Sequence, residues 1–308
     1  MFNLNRLIYF FSLVILITSC DLNNAKQSPK KEIIIASDFL CPKDTSLFYA
    51  FTKENGIHIK IVHLTADSIK KKLYKNHFNS KIDLVFVNSL NSVKELNSIS
   101  FHRISESTRK ENMSKFRAFK NNTWFAVGLD PFGFSYVVDS LNTPKIYSDL
   151  NNKYKFSNYE STNTNVFLAH LNYLFKKNPD DYIKWKKSFV KNLSPLESST
   201  DSLTSKQLIL INWSNQLDYP HLPERNKRIN DFNLNQINGL FADRKCLGIV
   251  KEAENFSYTL LFLSFLNKKI NNLNYVKKLK MLPINSLPKE KNTFKIMKIN
   301  EDSLLKRL

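Results

Sequence analysis

The residues able to do chemistry are few, and their spacing is unhelpful for catalysis. Six histidines are present: His58, His63, His77, His102, His170 and His221. None forms a His-x-x-x-His pair. His58 and His63 stand five apart on an expected strand, so they point to opposite faces and a metal site between them is not expected. Asp180 and Asp181 are adjacent acids at an expected helix start, where they complement the helix dipole rather than form an acid/base pair. Three cysteines exclude a disulfide scaffold and a four-thiolate zinc site. With five dispersed glycines, no phosphate loop, dinucleotide fingerprint or nucleophile elbow can be built. The expectation is that the protein is not an enzyme and carries no resident cofactor.

Cys20 is different, because of what precedes it. Arg6 is followed by the apolar run Leu7 to Ile17, which is short for a membrane span. The run ends in Ile17-Thr18-Ser19-Cys20. An aliphatic residue, two small residues and a cysteine resemble the bacterial lipobox. There the signal is cut before the cysteine and the thiol takes a diacylglycerol, with acyl chains such as palmitate. Residues 1–19 are then a signal peptide, and several acyl chains on Cys20 give a stable membrane anchor. An ordinary signal or membrane anchor with an incidental cysteine is the alternative. Residues 20–31 are polar, contain Pro29 and lack periodicity, as expected of a flexible tether. The expected location is the cell envelope, on the extracytoplasmic side of a membrane.

The chain has 308 residues, 46 Lys+Arg against 27 Asp+Glu, 42% hydrophobic content and 13% aromatic. It is too apolar for a disordered chain and long enough for about two domains. The formal net charge of +19 is spread along the chain. No nucleic-acid motif clusters the lysines, so no nucleic-acid partner is expected. Compositional drift toward Lys, Asn, Ile and Phe accounts for most of the charge, with a modest bias toward anionic ligands or surfaces.

The positioning elements read as α/β. Glu32 to Ser37 is a short β-branched run expected as a buried parallel strand. Asp44 to Asn55 has helical apolar spacing and stops at Gly56. Ile57 to Leu64 alternates as a second strand, Asp67 to Tyr74 is a Lys-rich amphipathic helix, and Ile82 to Val87 is a third strand. In such open sheets ligands gather beyond the carboxyl ends of strands. That places Asp38 to Cys41 and Asn88-Ser89 at a cleft. Two strands, Trp124 to Gly128 and Phe134 to Val138, flank Asp130-Pro131-Phe132-Gly133, where a change of domain is expected. Helices are expected over Asn165–Lys177, Asp180–Asn192 and Phe256–Asn267, and strands over Leu208–Asn212 and Lys245–Val250. Leu217 to Asn235 reads as a loop.

Taken in order, these segments resemble the ferric-iron branch of the bacterial ABC-transporter solute-binding proteins. The resemblance is carried by Ala50 to Ile57, Thr65 to Ser68, Lys81 to Val85, Trp124 to Val127, Val137 to Asp139 and Ile146 to Leu150. Trp185 to Asn192, Leu210 to Asn212 and the C-terminal Leu282 to Asn285, Thr293 to Lys295 and Ile299 to Leu305 continue it. It implies a two-lobed type II periplasmic-binding fold with hinge crossovers. Lobe 1 would be residues 32–128 plus 246–308, and lobe 2 residues 129–245. It also implies ABC permease subunits and a small solute as partners, beside the lipid on Cys20.

The family's iron ligands, carried over position by position, are absent. Its tyrosine positions hold Cys41, Phe167, Ser214 and Asn215, and its basic residue near the first crossover is lost in Asp130-Pro131-Phe132. Fe(III) is a hard cation that wants anionic oxygen. The expectation is therefore a receptor that does not bind ferric iron through tyrosinates, although Tyr136, Tyr159 or Tyr219 could substitute by shifting. The cleft candidates are Asp38, Cys41, Asn88, Ser89, Asp130, Phe132, Phe167, Trp213, Ser214 and Asn215. Aromatic faces with a few polar groups suit a small organic solute. The same Phe167 and Trp213 are equally read as core. Cys41 and Cys246 are read either as a disulfide or soft-metal pair, or as small buried hydrophobes. A lipoprotein that kept the fold for interaction or sensing, without a transport ligand, is the alternative function.

Overall fold

The computed structural model describes residues 31–76, 80–136, 155–158, 161–195, 207–212, 241–284 and 299–308. In chain order the strands are β1 (Glu32–Ser37), β2 (His58–His63), β3 (Leu84–Val87), β4 (Arg117–Ala118), β5 (Phe125–Tyr136), β6 (Lys155–Asn158), β7 (Leu193–Pro195), β8 (Gln207–Asn212), β9 (Ala242–Ile249) and β10 (Leu282–Pro283). The helices are α1 (Tyr49–Asn55), α2 (Ala66–Asn76), α3 (Leu90–Glu95), α4 (Glu106–Asn112), α5 (Ser161–Leu174), α6 (Pro179–Lys191), α7 (Phe256–Lys269), α8 (Leu273–Lys278) and α9 (Glu301–Leu305).

The strands join in the order β2-β1-β3-β9-β5-β8-β6-β7, with β4 and β10 also on β5. The first section, β2-β1-β3, is parallel. Its apolar residues explain the arrangement: Ile33, Ile35, Leu84, Val85 and Phe86 are buried, as strands covered on both faces require. β9 then runs antiparallel to β3 and to β5. The far section, β8-β6-β7, is parallel again and meets the second half of β5.

β5 thus belongs to both sections. Its first half pairs with β9, and residues 132–136 pair with β8. Two strands were expected here with a break at Asp130–Gly133. The chain instead continues through Pro131, which sits where the strand leaves one partner for the next. A missing N–H is tolerated at such a place.

Two packed layers cover the sheet. One contains Ile33, Ile35, Phe48, Phe51, Phe86, Phe262 and Leu263, with Phe262 edge-on to both Phe48 and Phe51. The other runs from Ile69, Val85 and Trp124 to Phe132, Phe167, Trp185, Phe189 and Phe241, so it is continuous across both sections.

Local chemistry sets the element ends. Gly56 closes α1 in the left-handed region at φ 65°, as its sequence position suggested. The expected helix from Asp44 splits into a 3-10 turn over Pro42–Phe48 followed by α1. Pro42 opens that turn, and the Asp44 carboxylate reaches back to the Cys41 amide at 2.8 Å. β3 starts two residues later than expected. The Asp83 carboxylate there accepts the Ile34 amide at 2.9 Å and the Asn255 amide at 3.1 Å, tying β1 to the start of α7.

Candidate functional site

The carboxyl ends of β1 and β3 meet the middle of β5 and β9 in a buried polar seam. Asp38 follows β1. Its two carboxylate oxygens accept the Asn88 amide and the Ser92 hydroxyl, each at 2.7 Å. Burial nonetheless pushes the Asp38 carboxyl above its ordinary range, the hydrogen bonds and Lys245 opposing that push. Asn88 follows β3, and its side-chain carbonyl accepts a hydrogen bond from the Lys245 ammonium. Ser89 caps α3 by accepting the Ser92 amide at 3.1 Å.

Lys245 lies on β9 and is 1% exposed. Its ammonium stands 3.6 Å from Asp130 Oδ2 and 4.4 Å from the Phe39 ring centre. Asp130 in turn sits directly opposite Asp243 in the β5–β9 register. Asp243 Oδ1 accepts the Leu90 amide at 3.0 Å and the Arg244 amide at 2.7 Å. Its other oxygen is buried and has no hydrogen-bond partner among the described residues. Burial, assisted by the nearby Asp130 charge, raises the Asp243 carboxyl to about 7.

Side chains alternate along β9, so Arg244 points away from this seam. It donates to the Ala242 carbonyl and to His170 Nε2 at 3.4 Å, and its Nε lies 3.5 Å from Glu301. His170 Nδ1 donates to the Val166 carbonyl at 2.8 Å, which leaves Nε2 as acceptor. Burial and Arg244 together hold His170 down to about 3, so it is neutral. Arg244 thereby ties α5 to the C-terminal segment at Ile299 and Glu301.

Of the residues expected at a cleft, Asp38, Asn88, Ser89 and Asp130 surround this seam. Cys41 is half-buried and turned locally, with its thiol 3.0 Å from Asp44 Oδ2. Phe132 and Phe167 are core. Phe167 is fully buried, its ring 5.5 Å from Phe241, 5.8 Å from Phe189 and 6.0 Å from Phe132, centre to centre. Its burial among these rings places Phe167 in the core. Trp213, Ser214, Asn215 and Cys20 lie outside the described residues. Cys41 and Cys246 are both free thiols, and burial raises the Cys246 thiol well above its usual value.

Lys245, Asp243 and Ser92 were not anticipated, whereas Phe39 falls inside the Asp38 to Cys41 stretch expected at the cleft. The available signal was the charged triplet Asp243-Arg244-Lys245 set between Phe241-Ala242 and Cys246-Leu247. Three charges inside an apolar run must be paired if the run is a buried strand. Among the described residues, no group of three His, Cys, Asp or Glu side chains is placed to hold a metal ion. None of the described helices is long and apolar enough to cross a membrane.

No protein-family model and no curated protein matches the sequence. Solved structures do match by shape. A Trichodesmium protein, IdiA or FutA, in complex with iron and citrate superposes with a TM-score of 0.74 at 19% identity, over 89% of this chain and 95% of that one. The Mannheimia haemolytica ferric iron-binding protein A in an open conformation gives 0.73 at 16% identity, over 90% and 95%. An ABC transporter structure from Clostridium perfringens gives 0.64 at 14% identity, over 89% and 98%. At these identities the likeness concerns architecture: the chain has the two-lobed periplasmic-binding-protein fold, in which β5 passes from one sheet section to the other.

Proposed function

We propose that this chain is the extracytoplasmic solute-binding subunit of an ABC importer, held to a membrane by acyl chains on Cys20. On this reading residues 32–128 and 246–308 form lobe 1, residues 129–245 form lobe 2, and a small solute bridges them. A ligand that contacts both lobes shifts the open–closed equilibrium by its differential affinity for the two states. Permease subunits then read the closed form. The observation that carries the reading is the polar seam of Asp38, Asn88, Asp130 and Lys245, gathered where the strands of the first section end beside the crossover. Structures of this shape include one holding iron and citrate and one described as an ABC transporter, which supports the role.

The solute differs from bare ferric iron held by tyrosinates. Phe167, at one of the expected tyrosine positions, has no donor atom and is packed among aromatic rings. Cys41, at another, is engaged with Asp44.

A thermal-shift screen of organic solutes and metals on the purified chain tests both statements, because a ligand of the native state raises the melting temperature. An organic solute that raises it and compacts the protein in solution scattering is the expected result. A visible charge-transfer band with stoichiometric iron after ferric citrate sinks the exclusion of tyrosinate-bound iron. No shift with any solute, on a chain encoded away from permease and ATPase genes, favours a receptor fold kept for interaction alone.

A further inference from the structure

We infer that Lys245 sets the charge selectivity of the seam: its ammonium is a built-in counter-cation for Asp130 and the Asp38–Asn88 pair, and it closes the seam to metal cations. The inference rests on reading the chain as a solute receptor, and it restricts the solute at this seam to one that is not a bare metal ion.

The argument starts from donors. A hard cation needs several oxygens free to turn toward it at about 2.0–2.6 Å. Each Asp38 oxygen already accepts a bond of 2.7 Å from within the fold. Asp243 Oδ1 accepts two backbone amides. The Asn88 carbonyl and Asp130 Oδ2 both face the ammonium. Lysine suits this role because its charge is compact and its donors rotate to whichever acceptors surround it. The Phe39 ring closes the remaining side at 4.4 Å, where its face favours a cation. An arriving metal ion would meet a fixed positive charge at 1% exposure, where bulk solvent screens the repulsion little. Removing that charge takes the ammonium away from Asp130 and Asn88 and lowers the repulsion that an entering cation meets.

The test titrates terbium(III), a hard trivalent ion, into the full chain in neutral detergent, alongside Lys245→Met, Asp130→Asn and the double variant. Wild type and the double variant are expected to take up no terbium at the seam. Lys245→Met is expected to bind it at least about tenfold more tightly than wild type. Its melting temperature, lowered by loss of the ion pair, should recover when terbium is added. Terbium bound by wild type and lost in Asp130→Asn overturns the inference. So does a folded Lys245→Met that takes none, which would leave Lys245 as an ordinary structural ion pair. Should Lys245→Met be unfolded, folding induced by terbium supports the inference, and a chain that stays unfolded at saturating terbium counts against it. Failure of the receptor reading shows elsewhere, as a solute screen without hits, and leaves this titration unchanged.

Discussion

Asp243 on β9 accepts the Leu90 amide at 3.0 Å, so the strand between β3 and β5 is fastened to the helix that opens after β3. That contact makes one buried carboxyl part of the connection between two chain segments far apart in sequence. It also makes stability depend on which form of the carboxyl is present.

Two buried groups act on the pH profile in opposite directions. The folded Asp243 carboxyl is raised to about 7 from an ordinary 3.8. Between those values the folded state holds more protons than the unfolded chain, so this group makes stability fall as pH rises. His170 is lowered to about 3 from 6.5. There the unfolded chain holds more protons, so this group makes stability rise with pH over the overlapping range. Each slope is at most about 1.4 kcal/mol per pH unit, and they offset one another. Asp243→Asn keeps a side-chain acceptor for the Leu90 and Arg244 amides and removes the falling slope. Its unfolding free energy, measured by urea titration between pH 4 and pH 6.5, should rise with pH more steeply than that of wild type. An unchanged profile contradicts the assignment of a raised Asp243.

Gly128 pairs with Lys245 immediately after the irregular step in the β5–β9 register at Val127. A Cβ there would lie 2.2 Å from Met281 Sδ and 2.9 Å from Met281 Cβ. The sulfur is flexible, but the Met281 Cβ is fixed to its backbone, so the clash cannot be relieved by rotation alone. Gly128→Ala should cost about 1–3 kcal/mol of stability, as overpacking does. Adding Met281→Ala should return part of that loss in a double-mutant cycle, because the two changes touch the same space. Simple additivity in urea melts would show that the contact is not where the strain arises.

The first section was legible because its signals are local. Ile33-Ile34-Ile35 and Leu84-Val85-Phe86-Val87 have the length and branching of buried strands, and Gly56 marks a helix end by its conformational freedom. The path of β5 was not legible, because Asp130-Pro131-Phe132-Gly133 has the composition of a turn. Only pairing with β9 and β8 reveals a continuous strand. The seam was half legible. Asp38 and Asn88 follow from the rule that sites collect beyond strand ends. Lys245 and Asp243 come from a strand more than 150 positions later, brought in by sheet order that no local pattern encodes.

The two thiols report independently on the same architecture. Cys246 is fully buried on β9 with a raised thiol, so both access and ionisation protect it. Cys41 is half-buried beside Asp44 and reaches solvent. In the native chain an alkylating reagent should modify Cys41 within minutes and Cys246 only when denaturant opens the sheet. Because both are free, omitting reductant should leave the mass after denaturing alkylation unchanged. A mass lower by two alkyl groups without reductant would mean that Cys41 and Cys246 are bonded.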